Sequence, residues 1–155
     1  MTKTAGPFPR VSLRGIDAAA GPIAEVWSSG PALLLIGHSD CSTTRETLPF
    51  LDRIHRRRTR GAATAILQDD VEAARDLVRE LELELPIRLE PDPYMLATAV
   101  DLVTVPTIFA VNARGEIARV SEGLSRADLE SFASHLGAQG SLFGPEDTVP
   151  ALRPG

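Results

Sequence analysis

The sequence predicts an α/β domain, a central mixed β-sheet flanked by helices on both faces. Two patterns carry that expectation. In the first half, apolar runs of strand length alternate with segments whose apolar residues recur every three or four positions, the mark of parallel strands joined by helical crossovers. In the second half, two short β-rich runs flank a turn and lead into a capped helix, which places an antiparallel hairpin at one edge. Residues 11–137 are expected to form the domain, with an N-terminal arm over 1–10 and a C-terminal tail over 138–155.

The elements follow in order. Residues 1–10 carry two prolines and little periodicity and read as an extended arm. Val11-Ser12-Leu13 suits a short strand and Ile23 to Trp27 a short helix ending near Ser29-Gly30-Pro31. Ala32 to Ile36 is an apolar run fit for a strand buried on both faces. From Ser42 to about Arg58, Leu48, Leu51 and Ile54 form one apolar helical stripe interrupted by Pro49. Arg53, His55, Arg56, Arg57, Arg58 and Arg60 crowd its end, readable as a solvated cationic terminus or as an anion site.

Ala63 to Leu67 is a second buried strand. Asp69-Asp70 then cap a helix with Val71, Ala74, Leu77, Val78, Leu81 and Leu85 inward, stopped by Pro86. Ile87-Arg88-Leu89 is a third strand, and Asp92-Pro93 reads as a cap plus first-turn proline opening a helix over Tyr94 to Val100. Thr107–Val111 and Glu116–Val120 form the hairpin, with Gly115 suited to a positive φ in the loop. Ser125 with Asp128 resembles a capping box for a helix that turns Leu129, Phe132, Ala133 and Leu136 inward and ends at Gly137. The tail is rich in glycine and proline, with Leu142 and Phe143 as its candidate anchors.

At 155 residues, 43% hydrophobic and 24% charged, the chain is expected to be one ordinary globular domain needing no covalent staples. A net charge of −5 argues against nucleic acid, whose phosphates need a concentrated positive field. The longest apolar run is far too short for a bilayer, so no membrane partner is expected. One cysteine makes no internal disulfide, and the expected compartment is cytoplasmic. His38, His55 and His135 lack ligand spacing, so no metal is expected, and no glycine-rich phosphate loop is present.

The stretch with chemical content is Pro31 to Pro49, where a buried strand turns into a helix with Cys41 at the turn. Unpaired amides and the positive end of the helix dipole favour thiolate there, and thiolate is the nucleophile. Arg45, one turn on, adds positive charge, and the Thr43 and Thr44 hydroxyls can donate to sulfur. Asp40 opposes by like charge. His38 reads as a base beside Cys41 or as a structural histidine at a strand end. Cys41 itself reads as a reactive thiol or as an inert buried one.

This order of elements, with the residues at its joints, resembles the thioredoxin fold over roughly residues 8–137. The joints are an apolar strand entering a Cys turn, Pro49 eight residues beyond Cys41, and Val105-Pro106-Thr107 before the hairpin. Gly115-Glu116-Ile117, Gly123 and a final capped helix complete them. The extra helix and strand between Gln68 and Leu89 make it more similar to the TlpA-type and peroxiredoxin-like branch. The resemblance implies a cis Pro106 facing Cys41 and a substrate platform at Val105, Pro106 and Thr107, with Asp40 and His38 beside it.

The departures are specific. The family's C-x-x-C reads Cys41-Ser42-Thr43-Thr44, the tryptophan before it is Asp40, and the buried aspartate of some members falls at Leu35. A self-sufficient dithiol reductase is thereby excluded. A lone thiol attacks a disulfide but needs an outside thiol, such as glutathione, for release. The leading expectation is a monothiol thiol–disulfide oxidoreductase with Cys41 as nucleophile, Thr44 and Arg45 as stabilisers, no resident cofactor, and protein or low-molecular-weight thiols and disulfides as partners. The alternatives are a redox-inactive module of the same fold binding a protein or peptide, and a thiol peroxidase. The last lacks the threonine expected three residues before the cysteine, where His38 stands.

Overall fold

The computed structural model describes residues 1–155. Its elements run β1 (Ser12–Gly15), β2 (Ala20–Pro22), a single 3-10 turn (Ile23–Trp27), β3 (Ala32–Gly37), α1 (Ser42–Arg57), β4 (Ala62–Leu67), α2 (Val71–Leu81) and β5 (Ile87–Leu89). There follow α3 (Met95–Ala99), β6 (Thr107–Val111), β7 (Ile117–Glu122), β8 (Leu124–Ser125), α4 (Arg126–His135) and β9 (Leu152–Arg153). Seven strands form one sheet in the order β2-β1-β5-β4-β3-β6-β7. β3, β4 and β5 are parallel neighbours, whereas β1 and β6 join them antiparallel.

β3 lies inside the sheet, between β4 and β6, because every residue of it is apolar or glycine and an interior strand is covered on both faces. Leu33 and Leu35 face a core shared with Leu48, Leu51 and Ile54 of α1, Leu77 of α2 and Phe132 of α4. Leu34 and Ile36 face a second core with Phe8, Trp27, Leu96 and Phe109. These four β3 side chains are fully buried, a contribution of about 1.5–3 kcal/mol each in transfer free energy. Gly115 in the β6–β7 loop has φ +81°, and a Cβ there would sit 2.7 Å from the Trp27 indole nitrogen, so glycine serves both the turn and the close approach.

Several boundaries differ from the sequence expectation. α2 stops at Leu81 and does not reach Leu85. Glu82 takes the left-handed conformation (φ 53°), its amide donating to Arg79 O (3.3 Å) and that of Leu83 to Val78 O (3.0 Å), a Schellman ending. The chain beyond is held by the buried Asp52 carboxylate, which accepts the amides of Glu84 and Leu85 at 2.8 Å each. Asp92 does not cap α3. The Asp92–Pro93 peptide is cis, Tyr94 has φ 57°, and the Ala97 amide is met instead by the buried Glu90 carboxylate at 3.0 Å. Ser125 does cap α4, its hydroxyl accepting the Asp128 amide at 3.2 Å, but the Asp128 carboxylate turns to Ser121 and Arg119.

Residues 138–155 cross α1 along its length. Leu142 is buried in the α1–α4 core, and the rings of Phe50 and Phe143 lie 4.6 Å apart. The arginines at and just past the end of α1 bind main-chain oxygens and carboxylates: Arg53 reaches Leu142 O (2.8 Å) and Asp147 (2.9 Å), Arg56 Asp52 (2.7 Å) and Glu82 O (2.6 Å), Arg57 Ser141 O (2.9 Å), and Arg60 His135 O (2.8 Å). β9 pairs antiparallel with β8, Leu124 opposite Arg153. No helix is long and apolar enough to cross a membrane.

Candidate active site around Cys41 and Pro106

β3 ends at Gly37, where a Cβ would come within 2.7 Å of Thr44 Cγ2; only glycine lets the first turn of α1 pack so close to the strand. The chain turns at once, with the Cys41 amide donating to His38 O at 3.1 Å. Cys41 is the N-cap of α1 (φ −89°, ψ 117°), and its sulfur accepts the Thr44 amide at 3.4 Å, where serine or aspartate oxygen is usual. The Arg45 amide meets Cys41 O at 3.1 Å as the helix's first bond.

Across from it, the Val105–Pro106 peptide is cis. The thiol donates to Val105 O at 3.3 Å, so sulfur sits directly on the backbone preceding Pro106. Pro106 is buried and Val105 half-buried, and Pro106 O accepts the Gly123 amide at 2.8 Å. Cys41 is itself half-buried, neither sealed in the core nor fully open.

The other expected site residues divide. Thr44 does border the sulfur, but by its amide; its hydroxyl is fully buried, facing the His38 amide at 3.5 Å. Thr43 gives its hydroxyl to Pro154 O at 2.7 Å, not to sulfur. The Arg45 guanidinium is shared between Glu80 of α2 and Ser39 O (3.2 Å) in the turn that precedes Cys41. Thr107 is fully buried, with its hydroxyl donating to Thr104 O at 2.8 Å.

His38 lies beside the turn but serves it structurally. Its Nδ1 accepts the Asp40 amide at 3.0 Å and its Nε2 stands 3.7 Å from Asp69. The Asp40 side chain is fully in solvent. Asp69, buried at the end of β4, gathers the Ser39 amide (3.1 Å) and the Ser39 hydroxyl, anchoring the turn from below. Sequence reading missed Ser39 and Asp69 as positioning residues, since nothing local marks a carboxylate that serves a turn 30 residues away. No three His, Cys, Asp or Glu side chains converge as a metal site.

No protein-family model and no curated protein sequence matches the chain. Solved structures do. The thioredoxin domain of a thiol-disulfide oxidoreductase from Bacteroides vulgatus superposes with TM-score 0.75 at 15% identity, covering 87% of this chain and 98% of that one. The peroxidoxin BcpB of Mycobacterium tuberculosis gives 0.72 at 13%, over 88% and 96%. A secreted disulfide oxidoreductase of M. tuberculosis, homologous to E. coli DsbE, gives 0.67 at 16%, over 82% and 96%. At such identities the likeness is one of fold. The chain has the thioredoxin-like fold, with a single cysteine at its strand-to-helix turn.

Proposed function

We propose that the protein is a monothiol thiol–disulfide oxidoreductase in which Cys41 is the nucleophile. One observation carries the reading: the only sulfur of the site caps a sixteen-residue helix and rests against the carbonyl that precedes a cis proline. The Thr44 amide offers a hydrogen bond that thiolate keeps, whereas the contact to Val105 O exists only while the thiol is protonated. Deprotonation therefore releases the sulfur from Val105 and frees it to attack.

The attack forms a Cys41–substrate disulfide and expels the substrate's other sulfur as thiolate. With Thr44 standing where a resolving cysteine would be, an external thiol such as glutathione attacks the Cys41 sulfur of the mixed disulfide and expels the second substrate thiolate. A second glutathione then attacks the resulting Cys41–glutathione disulfide, releasing oxidised glutathione and the Cys41 thiolate. Two electrons pass from outside thiols to the substrate disulfide. Such chemistry suits a compartment rich in reduced thiols, which is the cytoplasm. Peroxide reduction gains no support from the site, because His38 is engaged with Asp40 and Asp69 and no hydroxyl donor borders the sulfur.

Intact mass after treatment with oxidised glutathione tests the reading. A single adduct mapping to Cys41 and removed by reduced glutathione is expected. Its absence under conditions that modify free N-acetylcysteine would reject the proposal in favour of a thiol-independent binding module.

A further inference from the structure

The backbone surface beside Cys41 is already covered. Residues 151–155 run along it as an extended segment, with β9 paired to β8 and the Arg126 amide donating to Ala151 O at 2.9 Å. The Thr43 hydroxyl donates to Pro154 O at 2.7 Å, and Arg153 forms an ion pair with Glu46 of α1. Gly155 reaches the carbonyl that also receives the thiol: a Cβ built on it would lie 2.2 Å from Val105 O and 2.4 Å from Thr104 Oγ1. On the far wall, a Cβ on Gly123 would meet Arg153 O at 2.4 Å and Gly155 N at 3.1 Å. Glycine at both positions is what lets two backbones touch here.

We infer that residues 151–155 are an autoinhibitory strap: they occupy, as a main-chain mimic, the substrate face expected between Gly123, Thr43 and Val105, and a partner reaches Cys41 by displacing them. The contacts define what displaces it. A partner needs a strand-like segment, a carbonyl placed for the Thr43 hydroxyl, a cation opposite Glu46, and a residue without a side chain, or with one directed outward, against Val105 O. The strap is built to leave. All five of its residues are exposed, β9 is two residues long, and its polar ties are few. Main-chain pairing with little buried apolar surface is the kind of contact that opens locally at low cost.

The inference deepens the oxidoreductase reading by describing what the site accepts, but its test reads access to sulfur and not exchange chemistry. The full-length chain is compared with a variant carrying Arg153→Glu and Gly155→Val, which repels Glu46 and drives a Cβ into the Val105 carbonyl. The readout is alkylation of Cys41 by iodoacetamide at fixed pH, with circular dichroism recorded on both. Alkylation about tenfold faster in the variant is expected, as for a strap closed nine-tenths of the time. An acetylated peptide of the sequence Ala151 to Gly155, added to the variant, is expected to slow it again. An unchanged rate overturns the inference, and so does a faster rate that the peptide leaves untouched.

Discussion

The two ends of α1 are covered by one continuous segment held in two different ways. At the C-terminal end, residues 141–149 are fixed by a buried leucine, two phenyl rings in tilted contact and a doubly bonded Arg53–Asp147 pair. At the N-terminal end, residues 151–155 lie exposed along Thr43, Glu46 and the Val105 carbonyl that receives the thiol, held by one hydroxyl, one surface ion pair and a two-residue ladder. Buried apolar area makes the first half part of the fold, and surface pairs worth about 0–1 kcal/mol make the second half removable. A single stretch of chain can be structural over the cationic end of a helix and regulatory over the end that carries the nucleophile.

Substitutions separate the halves, starting with the largest effect. Leu142→Ala empties a core position, and thermal or urea unfolding is expected to show a loss of about 2–4 kcal/mol. Cutting the Arg53 tie with Asp147→Asn is expected to cost less, roughly 1 kcal/mol, because Arg53 is partly in water. It also changes the acid limb. Hydrogen bonds from Arg53 and then from the Gly144 amide hold the Asp147 carboxyl below its ordinary value. Its share of stability is therefore whole above the unfolded value of about 3.9 and drains away as pH falls through the lower native one. Urea midpoints measured between pH 5 and pH 2 are expected to fall less steeply in the variant.

At the other end, Thr43→Val removes one hydrogen bond to the strap. Stability should barely move while iodoacetamide modifies Cys41 about fourfold faster, because one net hydrogen bond of about 1 kcal/mol lowers a closing ratio of about nine to one to roughly two to one. Arg45→Gln is the quiet control. With its guanidinium on Glu80 and Ser39 O, its loss is expected to leave the alkylation rate where it was, and a slower rate would restore Arg45 to the site.

His55, on α1 near the fixed half, gives a final small effect. Burial first, and then Arg58, hold its imidazole below the ordinary value, and its Nδ1 is buried without a partner. Stability is intact above the unfolded value of about 6.5 and declines as pH drops below it, until the lower native value is passed. In His55→Leu that decline is expected to vanish from the urea midpoints.

The alternation of apolar runs and helical stripes made the sheet, the helices and the Cys41 turn legible, because burial on both faces writes itself into sequences such as Ala32 to Ile36. What sequence left unread was set by distant partners. Asp52 decides where the chain goes after α2, and Glu90 takes over the capping of α3. Helical spacing puts Arg45 near Cys41 but says nothing of Glu80 on another helix, which shares its guanidinium. The terminal Leu-Arg-Pro-Gly has no periodicity to read. Its glycine gains meaning only when Val105 O is seen beneath it.

The account rests on Cys41 exchanging disulfides at a surface that recognises peptide backbone. The most direct measurement is the rate at which Cys41 forms a mixed disulfide with an extended peptide bearing an activated disulfide, set against glutathione disulfide carrying the same leaving group. The account predicts that the peptide reacts about tenfold faster with the strap-opened chain, and that free N-acetylcysteine shows no such preference. Equal rates for the two disulfides at Cys41, no faster than with free N-acetylcysteine, would contradict it.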